Sequence, residues 1–375
     1  MTDFISLITQ NIGYIFFVFI IFFGQKIQLM QMLSTIGSKL RGFDALRKAS
    51  YTKLLDTLVE HGSPLSKAEI ETLTKEMIGS FAIPPVTLDP IGIVPKMEHI
   101  FDGHDQYLKD TLREILPAGT EAEIQSLENL TEVAIVTDEI FRVVRHFYIA
   151  GKKMGMYFLL QLIMALPMLE GMAKAYASAS EAFRKQEVIG DGFGPMVAKR
   201  FVPRGAPELD LEPETSLYLA DLEDRHLLII KARGPGGTVG KTGNLVENIL
   251  RKNYTDFECG DPVLAITIDA ALKMEGMETG ELGRGVGVAM GGPGMDRFRI
   301  EESCADKKIP IHAVVCYMNE KEAITSMMSW KPETREKVMA SVDAATKRIV
   351  DIIKKKTVAG DTVLVVGVGN TIGVD

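Results

Sequence analysis

The 375-residue sequence predicts an α/β protein in three parts: an N-terminal transmembrane helix, an α-helical region, and a mainly parallel sheet with flanking helices. Three observations predict it. Residues 4–23 contain no charged side chain, apolar residues in the rest of the first half recur at helical spacing, and beyond Asp191 short β-rich runs alternate with helical ones. The expected partition is an anchor at 1–25, an α-helical domain at 26–188 and an α/β domain at 189–375.

Twenty helical residues rise about 30 Å, enough to cross a hydrocarbon core. Residues 12–23 hold no strongly polar side chain, whereas Ser6, Thr9, Gln10 and Asn11 thin the start, so the span slides toward Lys26. Asp3 stands where a signal peptide would carry a basic cluster, and no A-x-A site follows. Lys26, Lys39, Arg41, Arg47, Lys48 and Lys53 come after the segment, which predicts a single-pass protein of the cell membrane with a cytoplasmic body. A second apolar run, 154–169, contains Gln161 and Pro167 and has basic residues on both flanks. It is expected to be the central helix of the helical domain.

Leu29, Leu33, Ile36, Leu40 and Phe43 carry a helical pattern through 26–60, and Ser66 with Glu69 forms a capping box for the next helix. Pro84, Pro85, Pro90 and Pro95 break the chain before helices at 96–116 and 120–185. Strands are then expected at 216–220, 227–231, 263–268, 286–290, 309–317 and 362–368. Between them fall helices at 244–252, 297–306, 320–328 and 333–355.

A net charge of −8 without a basic stripe excludes a general nucleic-acid binder. Cys259, Cys304 and Cys316 lack C-x-x-C spacing and read as core residues in a reducing compartment.

The candidate chemistry begins in IGDGFGPMVAKRF, where Asp191 is wedged between Gly190 and Gly192 ahead of Pro195 and a helix over 196–201. Such a turn presents one acid at the mouth of a sheet. Asp269 ends the apolar run VLAITID, and carboxyl ends of strands are where ligands gather in open α/β sheets. Gly291, Gly292 and Gly294 form a further turn followed by Asp296. Acids on neighbouring turns can make an acid/base pair or a divalent-cation site; helix capping is the plainer use of each.

Three other motifs read more weakly. ARGPGGTVGKTGN looks like a phosphate-cradling loop, but Pro235 occupies the position where the P-loop pattern needs glycine. The final VLVVGVGNTIGVD has dinucleotide-type glycines with no helix after them. In MEHIFDGHD, His99 and His104 are five apart, off the i, i+4 zinc spacing, which leaves a solvated helix end.

Together the stronger motifs resemble the phosphorylase/hydrolase-like fold shared by hydrogenase maturation endopeptidases and the spore germination protease. GVGN at 367–370 and GDGFGP at 190–195 are similar to the first family; NLVEN at 244–248, IDA at 268–270, GPGMDR at 292–297 and IPIHAVV at 309–315 are similar to the second. The first strand of those families comes last here, which implies a circular permutant whose terminal strand docks beside the Asp191 turn. The resemblance assigns Asp191 and Asp269 as catalytic acids, with Asn370, Gly192 and Gly369 around the ligand. Asp296 is nearest by position to the missing third ligand of a divalent metal, a histidine in the maturation peptidases. The whole chain also resembles an archaeal family, domain-of-unknown-function family 1512, which implies a membrane protein and supplies no activity.

The expected function is hydrolysis of a peptide or related bond in a protein or peptide substrate, with the two acids binding a metal or sharing a proton. The alternative is a non-catalytic, membrane-anchored scaffold or ligand sensor in which the acids only cap turns.

Overall fold

A computed structural model describes residues 2–86, 92–154, 156–252, 259–292, 294–325 and 327–375, with side chains for all of these except 2–11, 15, 19–22, 154 and 252. The first half is helical: α1 (Thr2–Glu60), α2 (Lys67–Gly79), α3 (Ile93–Ile115), α4 (Glu121–Met154) and α5 (Met156–Lys185). The capping box that opens α2 forms as expected, with the Ser66 side chain on the Glu69 amide and the Glu69 carboxylate on the Ser66 amide. Thr120 and Glu123 make the same reciprocal pair before α4. The helical structure expected over 120–185 is α4 and α5, on either side of residue 155, which lies outside the described residues.

The chain divides into two compact units, 1–52 with 134–177 and 53–133 with 178–375. In the first, Met32, Ile36 and Phe43 of α1 pack on Ile140 and Val144 of α4 and on Leu159, Leu162 and Leu166 of α5. Lys39–Glu170 and Arg47–Asp138 pairs flank this core. The run expected as the central helix of the helical domain falls within α5, apart from its first two residues. One face of α5 is packed, while Tyr157, Met164 and Met168 on the other are 67%, 82% and 58% exposed.

Among the described residues the helix that is by itself long and apolar enough to cross a membrane is α5, in the middle of the chain. The segment at 4–23 belongs to α1, and many of its side chains lie outside the described residues; Ile12, Tyr14, Phe16, Phe17, Val18 and Phe23 are described and exposed.

The second unit holds the end of α1, α2, α3, the start of α4, the end of α5 and the α/β half. Here the chain forms a 3-10 turn at Gly190–Gly192 and then α6 (Phe193–Lys199), β1 (Leu209–Glu212), β2 (Thr215–Leu222), β3 (Arg225–Ala232), α7 (Thr242–Lys252) and β4 (Pro262–Leu272). β5 (Leu282–Val286), α8 (Met295–Asp306), β6 (Ile311–Met318), α9 (Glu320–Thr325), α10 (Pro332–Lys356) and β7 (Thr362–Gly367) follow. The helix after Asp191 starts two residues before Pro195, because Phe193 already has helical backbone angles.

One seven-stranded sheet has the order β1-β2-β3-β7-β4-β6-β5. The expected mainly parallel sheet is corrected to a mixed one. β3, β7, β4 and β6 run parallel in the centre, and β1, β2 and β5 add antiparallel edges. β1 is additional to the expected strands; at four residues, LDLE is too short for its apolar–polar alternation to mark a strand, and it sits at an edge. The strand expected over 286–290 lies earlier, at β5, where Gly283 packs against the Tyr317 ring.

The central strands are apolar on both faces, as parallel strands covered by helices must be. On one face Leu227, Ile229, Ile266, Ile268, Val363 and Val365 meet Phe193 and Val197 of α6 and Val342, Ala345 and Ile349 of α10. On the other, Leu228, Ile230, Ala265, Leu364 and Val366 meet Leu245 and Ile249 of α7 and Ile300 of α8. The last strand in sequence thus lies in the middle of the sheet.

Candidate functional site

Residues that follow β7 are drawn onto the Asp191 turn. The Val368 amide continues the pairing by donating to Ile268 O at 2.8 Å. A Cβ on Gly194 would collide with the carbonyl oxygens of Val368 and Ile268, and one on Gly369, whose φ is +131°, would strike the Asp191 carbonyl. Only glycine permits that approach and that backbone angle. The loop Arg233–Gly240 wraps the tail from the other side: the Thr371 amide donates to Thr238 O at 2.9 Å and the Gly373 amide to Pro235 O at 2.9 Å. The glycines of the phosphate-loop look-alike therefore mainly pack against the tail and against α4, where Asn129 donates to Gly237 O.

At the carboxyl ends of β4 and β7 this packing leaves a cleft of about 320 Å³. Asp191, Asp269 and Asp296 line it together with Gly369, Val239, Gly240, Met290 and the glycine turn after β5; Pro293 of that turn lies outside the described residues. Segments nearly 80 residues apart along the chain are brought to one opening, in a volume suited to a small ligand or a single bond of a larger one.

The three acids are not equivalent. Asp269 is 5% exposed; its carboxylate accepts the Ala270 amide at 2.7 Å and the Gly291 amide at 3.1 Å. Burial, and then the charge of Asp191, push its pKa well above the usual carboxylate range. Asp191 is also raised by burial, opposed by a hydrogen bond from the Asn370 backbone amide. Two acids crowded in a desolvated cleft favour retention of one proton by the pair, and both carboxyls are held above the usual range by burial.

Asp296 is spent elsewhere. It accepts the Gly243 amide at 2.6 Å at the start of α7, and its other electrostatic neighbours are Glu98 and Arg299. It serves as a cap for another helix from across a loop. The expected three-carboxylate metal set is not assembled: among the described residues no group of three His, Cys, Asp or Glu could share one ion.

Asn370 and Gly192 also take roles other than those expected. The Asn370 side chain accepts the Ile372 amide at 2.8 Å, so its backbone, not its amide group, holds Asp191. Gly192 is buried against the Asn370 carbonyl, outside the cleft lining. Gly369 does line it.

The helix around MEHIFDGHD is more than a solvated end. Glu98 pairs with Arg299 and accepts from Asn244 at 3.1 Å, Asp102 pairs with Lys241 at 2.7 Å, and His104 meets Ser80 at 3.1 Å. Val239, Gly240 and Thr242, which also line the cleft, were not singled out, because their role depends on where the tail draws the loop. Of the three cysteines, Cys304 and Cys316 are buried with thiols pushed up to about 11, and Cys259 is partly exposed.

Two family models match the chain. One, described as "Protein of unknown function (DUF1512) N-terminal domain", covers residues 10–186, and the other, "Domain of unknown function (DUF1512) C-terminal", covers 189–375. No curated protein and no solved structure matches.

Proposed function

We propose that this chain, which belongs to the DUF1512 family over its whole length, is a membrane-anchored hydrolase that cleaves a peptide or related bond with an Asp191–Asp269 acid pair. The observation that carries the reading is the convergence of these two carboxylates on one glycine-walled cleft at the carboxyl ends of β4 and β7. Asp269 carries the proton; Asp191 carries the charge. In this arrangement Asp191 takes a proton from water as its oxygen bonds to the substrate carbonyl carbon, and Asp269 gives its proton to the carbonyl oxygen. Collapse of that adduct breaks the C–N bond as Asp191 gives its proton to the leaving amine and a hydroxyl of the adduct returns a proton to Asp269, which leaves the carboxylic acid product and the starting pair. Glycine on three sides lets an extended substrate backbone approach closely. The short-motif resemblance to peptidase families favours the same bond class.

For the anchor, the support is the exposed apolar side chains Ile12, Tyr14, Phe16, Phe17, Val18 and Phe23 of α1 and the basic residues that follow them, which also favour a cytoplasmic body.

The test is turnover of unstructured peptide mixtures by the full chain, read by mass spectrometry with and without chelator. Asp191→Asn and Asp269→Asn are each expected to lower turnover by roughly 10²–10⁴-fold, with cooperative unfolding retained and no effect of chelator. Undiminished turnover in either variant overturns the acid pair. A second reading has its own observation: both Asp269 oxygens fasten backbone amides. A non-catalytic scaffold or ligand sensor would show no turnover in the parent protein at any pH.

A further inference from the structure

A second cavity, of about 420 Å³, opens beyond the end of α6, in the same unit as the acid pair but with the opposite electrostatic character. Its floor is Lys231, the penultimate residue of β3, which is 1% exposed. Such burial of an ammonium is expensive unless it is paired. Its one hydrogen bond runs from Nζ to the Ala232 carbonyl at 3.1 Å, and among the described residues no carboxylate lies within ion-pair distance of it. An ammonium has three donors, so most of its capacity is unspent.

The rim adds to the charge. Lys199 and Arg204 are exposed at the mouth, and neither has a carboxylate partner among the described residues. Two acids share the walls. Glu208 is already neutralised by Arg233 at 2.6 Å and accepts the Tyr218 hydroxyl at 3.1 Å, which leaves Asp375 against three cations. Burial and the neighbouring Lys199 hold the Lys231 ammonium down to about 8, so at neutral pH it remains mostly charged and in need of a counter-ion.

We propose that this cavity is a binding site for the phosphate group of a small soluble phosphate ester, with Lys231 at its floor and Lys199 and Arg204 closing over the anion. Three point charges around a pocket of this size match a compact dianion better than a single carboxylate. The enclosed floor favours a small ester over a lipid headgroup. The site is separate from the Asp191–Asp269 cleft and does not depend on hydrolysis.

The experiment uses the full chain and inorganic phosphate, with chloride at equal ionic strength as the control for screening. Melting temperature is followed against concentration, since a ligand of the folded state raises it with the logarithm of its concentration once that exceeds Kd. Phosphate and glycerol phosphate are expected to raise it where chloride and acetate do not; selective binding of phosphatidic-acid vesicles without either soluble ligand would overturn the small-ester assignment. Lys231→Met is expected to weaken phosphate at least about tenfold while raising the melting temperature of the unliganded protein, because an unpaired buried charge has been removed. Should that variant not fold, the doubly substituted rim Lys199→Gln with Arg204→Gln, exposed and unpaired, is expected to keep the unliganded melting temperature and weaken phosphate about fivefold. Equal stabilisation by phosphate and chloride in the parent, or undiminished phosphate binding in the variants, overturns the site.

Discussion

Asp269 is the residue on which the candidate cleft turns, and its burial has a consequence for stability as well as chemistry. Its folded pKa lies above the unfolded value, so the folded state holds the proton more tightly. The stability this contributes is fully present below the unfolded carboxylate pKa, about 3.9, and is lost as pH rises toward the folded value. Asp269→Asn removes the titration. Its melting temperature relative to the parent is therefore expected to improve steadily from pH 4 to pH 8, and a difference constant over that range would show that the acid is not buried as described. Asp191, raised for the same reason but held by the Asn370 amide, should shift less.

At the scale of elements, the contact between α6 and β7 decides whether a cleft exists at all. Gly194 lets the helix rest directly on the backbone of Val368 and Ile268, with Phe193 and Val197 filling the layer beneath. In Gly194→Ala the colliding atoms are main-chain carbonyls, which cannot rotate away. The expected loss is about 3 kcal/mol or more, measured by denaturant unfolding, with a change near zero indicating that α6 sits further from the sheet. A neighbouring position shows the contrast: Gly291, in the turn after β5, has open space where its Cβ would stand.

Considering the molecule as a whole, the strand nearest the carboxyl end is also the most central one. β7 pairs with β3 on one side and β4 on the other, and its four apolar residues from Val363 to Val366 are fully buried. A chain stopped at residue 361 would deprive β3 and β4 of one neighbour each, split the sheet in two and expose the cores on both faces. It is expected to lose cooperative unfolding and cleft together, as read by circular dichroism melting; a retained sharp transition would contradict the strand order.

The membrane question belongs to this scale too. The full chain is expected to float with lipid vesicles, and a chain starting at residue 26 to remain behind. Flotation of the shorter chain would transfer the contact to the exposed face of α5, with Tyr157, Met164 and Met168.

Local chemistry was legible before any fold was known. The Ser66 capping box, the apolar runs of β2, β3, β4, β6 and β7 and the helices between them follow from side-chain period and turn residues, which act over a few positions. Glycines flanking Asp191 and closing the tail marked where backbones must meet, and the two acids were found from their places at a turn and at a strand end. The edge positions of β1 and β5, the antiparallel direction of the rim and the grouping of α2 and α3 with the sheet were not legible. Each is set by which neighbour wins a shared surface, and no short window records that competition. The same holds for function. Sequence placed Asp296 with Asp191 and Asp269 because all three follow strands or turns; packing brings all three to the cleft but commits an Asp296 carboxylate oxygen to the start of α7. Residue identity decides what a group can do; the distance to its nearest partner, created only when remote segments meet, decides what it does.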